Sequence, residues 1–318
     1  MIPAHRAVGG CGAHWLTLAE LDFTALTRWY PARMLRHTRQ EYLPDLAVSL
    51  VLHFSPLDQL QALLDSISCA AVEAELSCVE VICVDHSCDA DYTVRCRTFF
   101  ETFGAETDSD NGLQISLLTP DTNRGYGAGH NLAMSEVEGQ FHLILNPDVE
   151  LAPDTLKLAL DTLKNQHDIA LLAPQGFSPS GEPSFLAKAY PSVWVLGLRS
   201  LAPHWVKTRS GGAMARYEIR DLQNEAALRP ITLASGCCMW VRRALFDDVG
   251  GFDESFFLYF EDYDLSLKLA RQGAVMEHRD IRIVHHGGGA SRKGFRHIRW
   301  FVGGAVRFFN HWGWRWLG

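Results

Sequence analysis

The sequence predicts an α/β fold, with a mostly parallel central sheet and helices on both faces. Three observations point there. Runs such as "LAVSLVLH" and "VEVICVD" are apolar almost throughout, as strands buried on both sides are. They alternate with stretches of helical periodicity from Leu46 to about residue 165, as crossovers between parallel strands require. The chain has 318 residues and is 47% hydrophobic, enough for one large α/β domain or two small ones.

The elements follow in order. Residues 1–44 stand apart as an N-terminal extension. Within it "TLAELDFTALTRWY" reads as an amphipathic helix, because Leu18, Leu21, Ala25 and Trp29 share a face. Thr17 and Glu20 fit a capping box at its start. "LAVSLVLH" is the first strand, and "PLDQLQALLDSIS" a helix with Pro56 near its start. "VEVICVD" is the second strand, with a helix near 91–103 after it. "LQISLLT" is the third, followed by a glycine-rich turn and a helix near 129–138. "FHLILN" is the fourth, and "PDTLKLALDTLKNQ" the next helix. Residues 175–230 lose this rhythm and read as a variable lobe, after which "ITLAS" resumes the sheet. The core domain is expected over 45–290, with a basic, Trp-rich segment at 291–318.

Charge and cysteine usage exclude some classes. The net charge of −8 argues against a general nucleic-acid binder. The charge is uneven: the stretch from Ile281 to the end has seven basic residues and no acidic one, leaving 22 against 37 elsewhere. Such asymmetry marks a surface that meets something anionic. The eight cysteines make no Cys-x-x-Cys pair, and several sit in apolar strands as small hydrophobes. Adjacent Cys237 and Cys238 do not suit one tetrahedral zinc. The N-terminus lacks a signal peptide's apolar core, and no run reaches the ~18 apolar residues of a membrane span. A reduced, cytoplasmic chain is expected.

Ligands of parallel α/β sheets bind outside the strands' carboxyl ends. There the sequence places His53, Asp85, the loop "TNRGYGAGHN", Asn146 and Asp148, and Gly236. Gly125, Gly127 and Gly129 make neither a dinucleotide fingerprint nor a Walker loop. Singly, Asp85 reads equally well as a cap and Asp148 as part of an Asn-Pro turn. Together, two carboxylates and a glycine-rich loop on one edge suggest a nucleotide and a metal.

Five motifs occur in order: "VDHSCDAD", "NRGYGAGHNLAM", "LILNPDVEL", "SGCCMWVRRALFDDVGGFDESFFLYFEDYDLSLKLARQG" and "VHHGGGAS". Together they resemble family 2 inverting glycosyltransferases of GT-A fold, especially the rhamnosyltransferase-like branch. The resemblance spans Leu46 to Phe309. It implies a nucleotide-diphosphate sugar donor, with dTDP-rhamnose the sugar nucleotide its motifs favour. It also implies a glycan or lipid-linked acceptor in cell-surface polysaccharide synthesis, and a Mg²⁺ or Mn²⁺ ion. His53, Asp85, Asn123, Arg124, Gly125, Asn131 and Asn146 would line the donor site. Asp148 would bind the metal with His285 or His286. Alternation along a strand lets only one of the two histidines face the site. The sequence departs from the family at His53-Phe54-Ser55 and at His86, both near the base pocket.

In the same resemblance Asp262 matches the catalytic base, with Glu261 beside it. The aromatic run "FFLYF" before them would wall the acceptor pocket and raise a carboxylate's pKa. The competing reading is structural, since acidic residues in a helix's first turn offset its dipole; Asp264 fits that role better than Asp262 does. In the tail, basic residues form one helical stripe and Phe301, Phe308, Trp312 and Trp316 a second, suggesting contact with an anionic membrane. Gly303, Gly304 and Gly313 argue against a long helix there. Two other functions remain in view, a sugar nucleotidyltransferase and a non-catalytic sugar or nucleotide-binding module. The first lacks a Gly-rich, basic loop after the first strand, which reads "HFSPLD". The second would have no need of Asp148 and Asp262.

Overall fold

The computed structural model describes residues 44–106, 112–201, 211–220, 226–287 and 294–317. The expected helix at 17–30 lies outside them.

The first half follows the sequence closely. β1 (Leu46–Leu52) and β2 (Val79–Asp85) are buried almost throughout. Between them lies α1 (Leu57–Glu73), which buries Leu60, Leu63, Leu64 and Ile67 at helical spacing against the sheet. Then come α2 (Ala90–Glu106), β3 (Leu113–Leu118), α3 (Tyr126–Ser135) and β4 (Phe141–Leu145). These strands pair in parallel in the order β3-β2-β1-β4. Helix α3 starts three residues earlier than the pattern indicates. Gly125 permits this: its φ of 101° suits glycine, and a Cβ there would lie 2.3 Å from the Phe257 carbonyl oxygen.

The second half is mixed. After β5 (Val149–Leu151) and α4 (Thr155–Asn165) come β6 (Ile169–Phe177) and the short β7 (Pro183–Ser184). Next are α5 (Val193–Leu201), α6 (Gly211–Tyr217), β8 (Leu228–Pro230), β9 (Cys238–Arg242) and α7 (Arg243–Asp248). The chain ends with α8 (Glu261–Leu269), the long β10 (Ala274–His285) and α9 (Phe295–Trp312). The sheet runs β3-β2-β1-β4-β9-β6-β10-β5. β9 is antiparallel to both β4 and β6, whereas β10 is parallel to β6. The carboxyl ends of β1, β2, β4, β6 and β10 therefore share one edge.

One expected strand is absent. "ITLAS" makes only an isolated bridge, Leu233 with Lys188, and the sheet resumes at "CMWVR" instead. The segment's backbone donors are split among separate partners: Ile231 donates to the Val275 carbonyl, Leu233 to Lys188 and Ser235 to Leu186, while side chains of α8 take two more. The Ala234 N–H donates to Ser266 Oγ at 3.1 Å and the Gly236 N–H to Asp262 Oδ2 at 3.0 Å.

Helix α9 also differs from expectation, since it runs unbroken through Gly303 and Gly304. Gly304 is there for contact: a Cβ on it would sit 2.8 Å from the Tyr259 carbonyl oxygen. Packing of Phe308 and Phe309 into an aromatic cluster with Phe256, Phe260 and Tyr263 outweighs the weak helix propensity of two glycines.

Candidate active site

The nucleotide-side residues come from three strand ends. The His86 carbonyl accepts hydrogen bonds from His53 Nδ1 at 3.1 Å and Asn123 Nδ2 at 2.9 Å. Asn123 Oδ1 accepts the Gly125 N–H at 2.9 Å, closing the turn before α3. Asp85 is buried, with one oxygen accepting the Ser87 N–H and the other the Thr93 hydroxyl. Burial lowers the pKa of His86 and keeps that ring neutral. Arg124 is exposed and pairs with Glu254 at 2.5 Å. Asn131 is committed elsewhere: its amide bonds the backbone of Phe252 in both directions and reaches Glu254.

The carboxylate of Asp148 lies 3.4 Å from His285 Nε2. His286 turns the other way and donates from Nε2 to Glu150 at 2.6 Å. Strand alternation thus separates the two histidines, and His285 is the one beside Asp148. The Asp148 carbonyl accepts the His286 N–H at 2.9 Å, so β5 and β10 hold this pairing in register.

Asp262 sits in the first turn of α8, half-buried. Its Oδ2 accepts the Gly236 N–H at 3.0 Å and its Oδ1 the Tyr263 N–H at 2.9 Å. Glu261 is 4% exposed. Burial, then the neighbouring Asp262 charge, pushes its carboxyl well above the usual range, favouring the protonated form. Asp264 points away from the cleft, accepting Trp312 Nε1 at 2.8 Å and pairing with Lys268 at 2.8 Å. Its role is structural.

Tyr126 joins the two halves. Its hydroxyl lies 2.6 Å from the Gly236 carbonyl oxygen and 2.9 Å from the Asn146 side-chain amide. The contact to Asn146 is to its Oδ1, so the one hydroxyl proton is shared between two oxygen acceptors, Gly236 being the nearer. Burial raises the phenol's pKa well above its usual value, and Cys237, Glu261, Asp262 and Asp148 add to the rise. Asp148 and Asp262, 114 positions apart in sequence, therefore act on the same ring.

The turn before α8 is strained. Tyr259 and Phe260 both adopt left-handed backbone, at φ 75° and 71°, which non-glycine residues rarely do. Phe260 is held by T-shaped or tilted contacts to Tyr263, Phe301 and Phe308. This corrects part of the aromatic-wall expectation: Phe256 and Phe260 are buried in that cluster, so they anchor α9 and cannot line an open pocket.

Two further features escaped the sequence reading. Tyr126 is one; a bulky phenol between Gly125 and Gly127 is its only signal. The other is a buried trio under α3. Ser49 Oγ lies 2.6 Å from His130 Nδ1 and 2.8 Å from His142 Nε2. Burial drives His130 down to about 3 and His142 well below its usual value. His130 in turn packs edge-on against the Tyr126 ring, 4.4 Å between centroids.

The fold is that of GT-A glycosyltransferases. A structure of GalNAc-T7 with UDP, GalNAc and Mn²⁺ superposes with a TM-score of 0.60 at 13% identity, over 86% of this chain and 48% of that one. The mannosyltransferase PcManGT of Pyrobaculum calidifontis, in complex with GDP-Man and Mn²⁺, gives 0.55 at 17% identity, over 90% and 70%. The chain belongs to glycosyl transferase family 2, whose model matches residues 58–250. It is similar to an N-acetylglucosaminyl-diphospho-decaprenol L-rhamnosyltransferase of Mycobacterium tuberculosis, 29% identical over 185 residues, 54% of this chain and 59% of the relative. The low-salt glycan biosynthesis hexosyltransferase Agl10 of Haloferax volcanii is 24% identical over 162 residues, 50% and 47% of the two chains. The chain thus spans about half the length of these curated relatives.

Proposed function

We propose that this protein transfers a sugar from a nucleotide-diphosphate donor to a hydroxyl of a glycan or lipid-linked acceptor, with inversion at the anomeric carbon. The observation that carries the proposal is the Tyr126 bridge, which ties the Asn146–Asp148 segment to the Gly236–Asp262 pair. One hydroxyl thereby touches Asn146, two residues before Asp148, and Gly236, whose N–H holds the candidate base.

Asp262 acts as the base. Two backbone N–H groups fix its carboxylate in the first turn of α8. The acceptor oxygen loses that proton to Asp262 as it bonds to the anomeric carbon, and the bond to the diphosphate oxygen breaks on the opposite face. Such a base contributes about 10²–10⁴-fold. Glu261, held neutral beside it, keeps a second negative charge out of the site. His53, Asp85, Asn123, Arg124 and Gly125 shape the nucleotide side. Asn131 supports it indirectly by fixing the 252–254 segment.

Asp148 and His285 supply one carboxylate oxygen and one imidazole nitrogen 3.4 Å apart, and Asn146 can offer an amide oxygen. This set suits Mg²⁺ or Mn²⁺ completed by diphosphate oxygens. A bound divalent ion would neutralise charge on the departing diphosphate. Among the described residues, no three His, Cys, Asp or Glu side chains form a closed metal cage. The donor would therefore complete the ligand set. Mn²⁺ in the two structural neighbours supports this reading.

The name of the rhamnosyltransferase relative favours a rhamnosyl donor and a diphospho-lipid-linked sugar as acceptor, and dTDP-rhamnose is the nucleotide sugar that the motif resemblance implies. The reaction would run at the cytoplasmic face of a membrane, serving surface polysaccharide synthesis. Incubation with a panel of nucleotide sugars, Mn²⁺ and a lipid-diphosphate-linked N-acetylglucosamine tests this. Release of nucleoside diphosphate that requires the acceptor, with an inverted linkage by NMR, is expected. Retention of configuration, or no turnover with any donor, would refute the proposal.

A further inference from the structure

Among the described residues nothing covers the outward face of α9, which has a definite pattern. Phe295, Ile298, Val302 and Val306 are exposed apolar residues at spacings of three, four and four. At about 100° per residue they fall within an arc of about 80° and run about 16 Å along the helix. Arg299, Arg296 and Arg307, all exposed, occupy roughly the next 80°. Phe309 lies within the apolar arc, and Trp314 and then Trp316 stack on it in turn, 5.2 Å between successive centroids. The tail that carries these tryptophans is fastened down. The Val193 and Trp194 N–H groups donate to the carbonyls of Arg315 and Trp316, and Tyr190 donates to Gly313. The apolar ridge therefore continues past the helix end onto a fixed platform.

The opposite face of the same helix grips the turn that carries Asp262. Gly304 lies against the Tyr259 carbonyl, Phe301 and Phe308 pack on Phe260, and Trp312 donates to Asp264. We infer that α9 and the 313–317 tail form a docking surface for an anionic lipid membrane, which holds the catalytic turn at a set distance from the lipid headgroups. This rests on the proposed use of a lipid-linked acceptor and adds where the enzyme meets it.

The occupant follows from charge and shape. A convex apolar ridge beside arginines, with no acidic residue after Ile281, matches an interface where apolar side chains enter the acyl boundary and guanidinium groups meet phosphate. Among the described residues, no helix is long and apolar enough to cross a membrane.

Co-sedimentation of the full chain with vesicles tests the inference, comparing pure phosphatidylcholine with 30% phosphatidylglycerol at low and high salt. The wild type is expected to bind the anionic vesicles at low salt and to lose most binding at high salt. The triple variant Ile298→Ser/Val302→Ser/Val306→Ser and the double variant Arg296→Gln/Arg299→Gln should each weaken binding at least tenfold, with melting temperatures kept. Val72→Ser/Val94→Ser, which alters equally exposed valines on α1 and α2, should bind as wild type. Asp262→Asn should also bind as wild type, so that docking and catalysis fail separately. No binding by the wild type overturns the inference, as does binding indifferent to the triple variant. A concentration-dependent dimer that the triple variant abolishes, without vesicle binding, would assign the face to a second copy and overturn it too.

Discussion

The Tyr126 hydroxyl sits 2.6 Å from the carbonyl oxygen of Gly236, the residue whose N–H holds Asp262. The same hydroxyl contacts Asn146, two residues before Asp148. Tyr126→Phe keeps the ring and its packing on His130 and Phe252 but removes the link. Unpaired polar groups left by such a change cost about 1–3 kcal/mol. The expected result is a melting temperature lowered by a few degrees and a kcat, measured well below it, lowered by roughly 10-fold to 100-fold. Unchanged kcat would show the bridge to be incidental.

The metal side separates its two histidines. His285→Ala and Asp148→Asn should each raise the Mn²⁺ concentration for half-maximal activity about tenfold or more. His286→Ala and Glu150→Gln, which remove the outward pair, should leave it nearly unchanged. Metal titrations of the four variants check this. Equal effects of His285 and His286 would mean that the strand's alternation does not govern the site.

Two neighbouring glycines should respond with opposite sign. Alanine at an exposed helix position is better than glycine by about 1 kcal/mol. A Cβ on Gly303 meets nothing within 4 Å, so Gly303→Ala should stabilise. Gly304→Ala drives a methyl into the Tyr259 carbonyl, 2.8 Å away, and should destabilise by about 1–3 kcal/mol. Urea unfolding of both variants decides it, and two stabilised variants would mean that α9 is not seated on the turn.

The buried histidines give a pH dependence. His130 and His142 have folded pKa values below their unfolded value near 6.5. The unfolded chain therefore binds more protons as pH falls through 6.5, and stability drops with acid. Each such group contributes a slope of up to about 1.4 kcal/mol per pH unit below 6.5. Their contribution is complete above pH 6.5 and is lost on the way down towards about 3, the folded value of His130. Unfolding measured at pH 7.5, 5.5 and 4.5 should show a shallower acid loss in His142→Gln than in the wild type. An unchanged slope would mean that His142 is not buried in neutral form.

Much of this was legible in the sequence, and the reason differs by region. Strands β1, β2 and β4 are covered on both faces, so their apolar runs announce them, and the parallel order then brings Asp85 and Asp148 to one edge. The missing "ITLAS" strand was hidden because its donors divide among Val275, Lys188, Leu186 and Ser266, all more than 30 residues away in sequence. Gly303 and Gly304 read as helix breakers because propensity is local, whereas the helix is held by packing in which Gly304 sits against a turn 45 residues earlier. Tyr126 carried no motif of its own. Its meaning comes from what its hydroxyl touches, and only the assembled sheet edge supplies those partners.

The central claim is that Asp262 removes the acceptor proton. The most direct measurement compares wild type and Asp262→Asn for donor binding, by nucleotide-dependent thermal shift, and for transfer rate. Asparagine keeps the shape and can still accept the Gly236 N–H, but it cannot take a proton. Preserved donor binding with transfer lowered by at least about 10²-fold is the predicted result. Transfer at the wild-type rate, with the acceptor still required, would contradict the account.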